Sequence, residues 1–401
     1  MVVALESMLD SEQAARYLGI QRATLYVYAS RGLLEPVRDQ HSKKSLFRLA
    51  DLEKLVGRSQ KNRFVDLTLP AITTSITTLG PNGPIYRGIP VATLVGSQRF
   101  ESVAELLWQI DTGPWVPLDI SQDPARLASE SIKLVVAELV AQDPSVTDTD
   151  PVAIATFARQ LMATVVGALV PLNSSFERDG RYSPISTILA GALFLSDERA
   201  KVQRAIDALL IIFADHELSP STLVVRIAAS ECSGLANSFL AGLGVLSTYL
   251  QRSISKSFEL LVDAGHVGAE HALKARLKRG EPIPAFGHER GVRGDKRQDP
   301  RFELLMRHVY GIASPDQRRC IETLIAVAAE RELDSPGLRF AVAALTWVGE
   351  AHPHVGADIL LLSRMAGWTA HYIEELVTTP RRFRMRPTYI TVDARLPDSR
   401  A

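Results

Sequence analysis

The chain has 401 residues, of which 46% are hydrophobic and 22% charged, and its formal net charge is zero. This is the composition of a globular protein, and it excludes a disordered chain and a protein that binds polyanions through its overall charge. Only two cysteines are present, so a disulfide framework is excluded and a reducing, cytoplasmic location is expected. We identify no signal peptide and no apolar run near the about 20 residues that a membrane span needs, so no membrane association is expected.

The first 64 residues differ from the rest in charge, with 11 Lys and Arg against 7 Asp and Glu. Apolar spacing and start signals predict helices at 11–18 and 22–29, separated by Gly19. A basic strand or wing is predicted at 43–48, and a third helix at 51–56. A basic module on an otherwise mildly acidic chain suggests a polyanionic partner for this part alone.

The segments AARYLGIQRATLYVYASRGLL and FRLADLEKLV resemble the winged helix-turn-helix of the MerR/excisionase type. The resemblance implies that the second helix enters the major groove of DNA while neighbouring basic residues contact phosphates. The residues that would face the bases are Gln21, Arg22, Thr24 and Tyr28, and those that would contact phosphates are Lys43, Lys44 and Arg48. Protein docking or dimerisation is the alternative, because one arginine and two tyrosines are few for a helix that reads a groove.

The remaining sequence predicts a helical array with one small hairpin. The β-branched stretch 72–77 predicts a strand, the cluster Gly-Pro-Asn-Gly-Pro at 80–84 a turn, and 85–88 the returning strand. After Phe100, apolar residues recur at helical spacing almost to the end of the chain. Prolines and glycines divide this part into separate helices.

Five segments of this second part resemble the citrate synthase family, in the branch that carries a helix-turn-helix. They are, in chain order, GPIYRGIPVATLVGSQRFESVAELLW, RYSPISTILAGALFLSDE, ADHELSPSTLVVRIAAS, SRMAGWTAHYIEE and RMRPTYI. The resemblance as a whole extends over roughly 69–392. The resemblance implies an all-α fold: a winged helix-turn-helix module at 1–64, a large domain from 65–219 and 351–401, and a small domain at 220–350. It also implies a homodimer whose domains close over the substrates.

The reaction that the resemblance implies joins an acyl-CoA, such as acetyl-CoA, to a 2-oxoacid, such as oxaloacetate. No metal or cofactor is expected, because coenzyme A enters as the thioester substrate. His216 matches the histidine that donates to the thioester oxygen, and His288 would act on the 2-oxoacid. Arg364 matches a carboxylate clamp, and Arg386 the arginine supplied across the dimer. The simpler alternatives are a core histidine and arginines of the surface or the dimer interface.

Two catalytic positions depart from the family pattern. Gln251 stands where the motif Gly-Pro-Leu-His-Gly-Gly has its histidine, and Arg339 stands where Asn-Val-Asp-Phe has its aspartate base. An arginine stays protonated and cannot accept the methyl proton. Since acid–base groups contribute about 10²–10⁴-fold each, efficient condensation is doubtful.

Three hypotheses follow from these observations. The first is an acyltransferase of the citrate synthase class. The second is a catalytically degenerate relative that binds a ligand or pairs with an active paralogue. The third is a metabolite-sensing regulator that binds DNA through its first module, and it is compatible with the second.

Overall fold

The computed structural model describes most of the chain, in two compact units: the described residues up to Thr73 form the first and those from Thr74 to Phe383 the second. The described residues are 8–17, 22–30, 33–38, 45–48, 51–52, 72–111, 113–118, 132–171, 183–281, 283–286, 299–331, 333–378 and 383.

The first unit is a small mixed module. Its elements are β1 (Met8–Asp10), α1 (Ser11–Tyr17), α2 (Arg22–Ser30), β2 (Val37–Arg38) and β3 (Ser45–Arg48). The strands form one antiparallel sheet in the order β1-β3-β2, and Leu25 of α2 and Phe47 of β3 are buried in its core. Two helices followed by a strand agree with the predicted order. Asp51 and Leu52 are helical, and the rest of the predicted third helix lies outside the described residues.

The second unit begins with a three-stranded sheet of β4 (Thr77–Gly80), β5 (Gly83–Tyr86) and β6 (Ile89–Pro90). The hairpin is confirmed, but the prediction of a first strand at 72–77 is wrong, because the strand starts only at the end of that stretch. Gly80 pairs with Gly83, so the turn between them has only two residues. The preceding segment does not join the sheet, because the Ser75 amide donates instead to Glu374 Oε1, at 2.9 Å.

The rest of the second unit is helical, as the periodicity predicted. Its helices are α3 (Val91–Leu94), α4 (Phe100–Trp108), α5 (Ile132–Glu138), α6 (Pro151–Leu169), α7 (Ile185–Leu193), α8 (Arg199–Phe213), α9 (Pro220–Ser230), α10 (Leu235–Val267), α11 (Ala269–Lys278), α12 (Pro300–Ile312), α13 (Pro315–Glu330), α14 (Leu338–Val348) and α15 (Val355–Leu376). The division into a large and a small domain stays a prediction.

Three of these helices start with the same local signal. A side-chain cap at Ser219, Asp299 or Ser314 accepts from an amide of the first turn, and a proline follows at the first helical position. Proline suits this position because its fixed φ is helical and because an amide N–H, which proline lacks, would have no partner within the helix there. Two of these starts, α9 and α12, carry residues of the site described below.

Helix α15 is the centre of the unit. It packs against α4, α6, α8, α9, α10 and α14, and nearly all of its residues are buried. Trp368 fills the space beside Gly242 of α10, where a Cβ would lie 3.1 Å from the indole ring. A helix buried on all sides places any polar side chain that it carries inside the protein, where it needs partners.

One described helix, α6, is long and apolar enough to cross a bilayer by length and composition. Its most apolar window is 67% buried inside the protein, and it packs against α5, α7 and α15. A core helix of a globular protein meets the same criterion.

Candidate active site

His216 lies in the tight turn between two buried helices, α8 and α9. Asp215 Oδ2 accepts a hydrogen bond from the Glu217 amide at 3.0 Å, so the turn closes around His216. Glu217 has φ 49°, a conformation that costs energy for a residue with a Cβ. The Glu217 side chain is half-buried. This turn is therefore held in an unusual shape, and it places His216 at the edge of the core.

Arg301 contacts His216 directly. Its Nη1 lies 3.2 Å from His216 Nδ1. The guanidinium is held by Asp299, the cap of α12, through Nη2–Oδ2 and Nε–Oδ1 distances of 2.7 and 3.0 Å. In the sequence Asp-Pro-Arg, the aspartate thus starts the helix and also orients the arginine.

Arg364 of α15 is the second arginine of the cluster, with only 2% of its surface exposed. Its Nη2 donates to Thr222 Oγ1 at 2.9 Å and to Ser219 Oγ at 3.1 Å. Among the described residues, none accepts from its Nη1. Burial lowers the pKa of Arg364, against the opposite effect of Asp215. A buried guanidinium with an unused donor is costly unless an anion completes the site.

His216 is neutral at physiological pH. Burial lowers its pKa to about 3, and the charges of Arg301 and Arg364 act in the same direction. An arginine has only donors, so His216 Nδ1 must accept from Arg301. The proton of the neutral ring is therefore on Nε2. The cluster offers two fixed cations and one neutral N–H donor, which together suit a carboxylate next to a carbonyl oxygen.

Gln251 and Arg339 lie on two other helices, α10 and α14. Gln251 is half-buried within the continuous helix α10, and its side chain hydrogen-bonds Asp358 of α15. Burial raises the pKa of Asp358 to about 6, while His354 and Gln251 act to lower it. Arg339 is half-buried in the first turn of α14. The charges that act most strongly on His216 come from neither of these two positions.

The backbone at 248–253, where the family motif was expected, is helical. The expected proline and glycines are absent, and 248–253 lie inside the uninterrupted helix Leu235–Val267. Proline and glycine end or bend helices, and the residues present here lack that effect. His288 and Arg386 lie outside the described residues.

The candidate DNA-binding residues of the first unit differ in how exposed their side chains are. Arg22 and Arg48 are exposed, and Thr24 is partly exposed. Tyr28 packs against the core of the first unit, whereas Tyr26 is 43% exposed and hydrogen-bonds Arg22. Gln21, Lys43 and Lys44 lie outside the described residues. On α2, the exposed aromatic side chain is therefore that of Tyr26.

Arg301 and Asp215 received no role from the sequence. For Arg301 a signal existed, because Asp-Pro-Arg at 299–301 also resembles a segment of the citrate synthase family. For Asp215 there was only its position next to His216. Nothing in the sequence alone indicated that both would act on the same histidine.

Comparison with known proteins identifies the family of the chain. The model of the citrate synthase C-terminal domain matches residues 143–388, and a helix-turn-helix domain matches residues 8–59. The chain belongs to the citrate synthase family. A 2-methylcitrate synthase of Mycobacterium tuberculosis is 25% identical over 342 residues, which cover 76% of this chain and 84% of that protein.

Citrate synthase 2 of Bacillus subtilis is 24% identical over 335 residues, covering 76% of this chain and 90% of the relative. Among solved structures, citrate synthase from Thermotoga maritima superposes with a TM-score of 0.62 at 18% identity, and covers 83% of this chain and 98% of that one. The family and the mostly helical fold predicted from the sequence are thus confirmed, together with the helix-turn-helix domain of this citrate synthase family protein.

Proposed function

We propose that the protein binds a dicarboxylic 2-oxoacid, such as oxaloacetate, between His216, Arg301 and Arg364 and condenses it with an acyl-CoA. The observation that carries this proposal is a neutral His216 in contact with the guanidinium of Arg301 and under the influence of the buried charge of Arg364. The unused Nη1 of Arg364 is a donor for a substrate carboxylate. Relatives named citrate synthase and 2-methylcitrate synthase support acetyl-CoA and propionyl-CoA as the first thioesters to test.

We propose for His216 a different partner from the one that the resemblance implied. Two adjacent arginines favour a carboxylate-bearing substrate, so His216 Nε2–H donates to an oxygen of the 2-oxoacid rather than to the thioester. His288 and Arg386 remain proposed substrate ligands on the resemblance alone. Arg339 stands at the position of the base, so we expect slow turnover.

Thiol release from acetyl-CoA and propionyl-CoA with oxaloacetate tests the proposal. We expect activity in the wild type that His216→Ala removes. The exposed His271→Ala, on the surface of α11, is the matched control and should keep full activity. Thiol release at the same rate in His216→Ala would contradict the proposal.

A second candidate is a catalytically degenerate protein that senses the same ligand and binds DNA through its helix-turn-helix, alone or with an active paralogue. Arg339 and the Gln251–Asp358 hydrogen bond favour it, because neither supplies the expected acid–base groups. Its test is anisotropy of a labelled DNA duplex between about 50 and 200 mM salt, with and without oxaloacetate. Salt-dependent binding that Arg48→Ala weakens would support it, and absence of binding at low salt would contradict it.

We also propose a cytoplasmic homodimer. Ile227 of α9 and Val245 of α10 are 38% and 48% exposed on two helices that pack against each other. Apolar side chains of this kind on adjacent helices suit an interface between copies. Light scattering on the wild type and on Val245→Lys tests this, and a monomeric wild type would contradict it.

A further inference from the structure

A chain of buried charged groups leads through the core to the His216 turn. Arg226 Nε and Nη1 donate to Glu375 and Glu374, each at 2.6 Å, and Nη1 lies 2.9 Å from His371 Nδ1. On the other side of the ring, His371 Nε2 lies 3.4 Å from Asp215 Oδ1. Arg226, His371 and Asp215 are all fully buried. Buried ionic groups are expensive, so an arrangement of this length calls for a role.

The tautomer of His371 follows from its hydrogen bond with Arg226, and its contact with Asp215 is a longer one of 3.4 Å. Arg226 can only donate, so His371 Nδ1 must be an acceptor and its ring proton must lie on Nε2, facing Asp215. Burial acts to raise the pKa of Asp215, but the Nε2–H of His371, the charge of Arg364 and Thr77 act to lower it, and the pKa of Asp215 falls below its ordinary value. Asp215 therefore stays a carboxylate.

The Asp215 carboxylate in turn shapes the loop of His216. Its Oδ2 accepts from the Glu217 amide at 3.0 Å, across His216, and so stabilises the positive φ of Glu217. Tyr86 Oη binds both ends of the same residue: it accepts from the Asp215 amide at 3.1 Å and donates to the Asp215 carbonyl at 3.0 Å. One side of Asp215 thus faces the loop and the other faces His371.

Gly367 brings this loop into contact with α15. Its amide donates to the Ala214 carbonyl at 2.8 Å, and a Cβ at this position would overlap Asp215 Oδ1 and the Ala214 carbonyl. Helix α15 also carries His371 and Arg364. The distance between His216 and Arg364 therefore depends on how the Asp215 turn sits on α15.

We propose that Arg226, His371 and Asp215 are positioning residues for His216. His371 holds Asp215 as a carboxylate, Arg226 fixes the ring of His371, and Asp215 holds the turn that sets His216 between Arg301 and Arg364. The proposal rests on the proposed function only in that His216 meets a substrate there. The geometry of His216 in the free protein can be measured without any turnover.

The first test is nuclear magnetic resonance of isotope-labelled histidine in the free, full-length protein, with the His216 signals assigned through His216→Gln. In the wild type we expect a neutral ring protonated on Nε2 that does not titrate between about pH 5 and 8. His371→Leu should let His216 titrate in this range or lose the single tautomer. His371→Gln, whose amide can still donate to Asp215, should restore the wild-type signals.

The second test is oxaloacetate binding by calorimetry. We expect His371→Leu to weaken oxaloacetate binding about 10- to 100-fold, the effect known for residues that orient a metal-binding histidine. We also expect it to add an acid limb to the pH profile of binding as Asp215 protonates. A purely structural role would lower thermal stability without a new limb. Asp215→Asn keeps the size of the side chain and serves if His371→Leu does not fold.

Unchanged His216 signals in a folded His371→Leu or Asp215→Asn protein would overturn the positioning role, whether or not the wild type turns over. Altered His216 signals in a protein that shows no thiol release would keep the positioning role and contradict only the proposed reaction.

Discussion

Two regions of the second unit differ in how well their residue types match the family motifs. The cluster of His216, Arg301 and Arg364 contains the histidine and the α15 arginine that the resemblance implied, and helix caps, an ion pair and a buried carboxylate hold it in place. The positions of Gln251 and Arg339 carry different residue types, and Gln251 is bound to Asp358. Under the proposed function, the residues that would bind the 2-oxoacid are kept while those that would move protons are replaced, so the two groups can change separately in one fold.

The largest expected effect comes from changing the second region. The double variant Gln251→His and Arg339→Asp restores the two residue types that the family motif has. We expect thiol release from acetyl-CoA with oxaloacetate to rise by at least about 100-fold, the lower value for one acid–base group. Arg252→Gly, a change in the same helix without acid–base chemistry, is the control. A double variant no faster than the wild type would mean that the substitutions are not what limits the rate.

The next largest effect is expected from a substitution in the first region, the cluster of His216, Arg301 and Arg364. Arg364→Met removes the buried guanidinium but keeps an unbranched apolar side chain beside Trp368. Because a buried charged donor is lost, we expect oxaloacetate to bind roughly two to three orders of magnitude more weakly by calorimetry. The exposed Arg318→Ala should bind as the wild type does. Equal affinity in Arg364→Met would place the ligand elsewhere.

Acidification should destabilise the first region. The folded-state pKa of His216 is about 3, below the about 6.5 of an unfolded chain, so the unfolded state binds the extra proton between these values. Stability from this group is present above about pH 6.5 and is lost as the pH falls towards 3. Urea unfolding of the wild type should therefore weaken more steeply over this window than that of His216→Gln. Parallel curves would contradict the neutral, buried state of His216.

In the second region, Asp358 should make stability depend on pH less strongly than His216 does, and in the opposite direction. The pKa of Asp358 is raised to about 6, so its contribution is present below about pH 4 and is lost as the pH rises through 6. Asp358→Asn should gain stability relative to the wild type at pH 7 and little at pH 4, again by urea unfolding. The exposed Asp316→Asn provides the comparison. A gain of equal size at both pH values would show that the charge of Asp358 is not the cause.

Prediction from the sequence succeeded where it depended on neighbouring residues or on the order of motifs along the chain. Apolar spacing gave the helices, and the residues around His216 and Arg364 identified the family. It misplaced the first hairpin strand, because the Ser75 amide is taken by Glu374, which is far away in sequence. The DNA contact of Tyr28 stays a prediction: the structure packs Tyr28 partly buried against the module core and exposes Tyr26, since two positions along a helix turn a side chain by about 200°.

The amino-acid sequence by itself determined the family, the mostly helical architecture and the residue types at the candidate catalytic positions, because these depend on order and spacing along the chain. Only the tertiary structure decided the state of His216. Its neutral form, its single tautomer and its contact with Arg301 arise from burial and from charges on α12 and α15, which are distant in sequence. Burial and charge act through space, so they become readable only once the helices are packed.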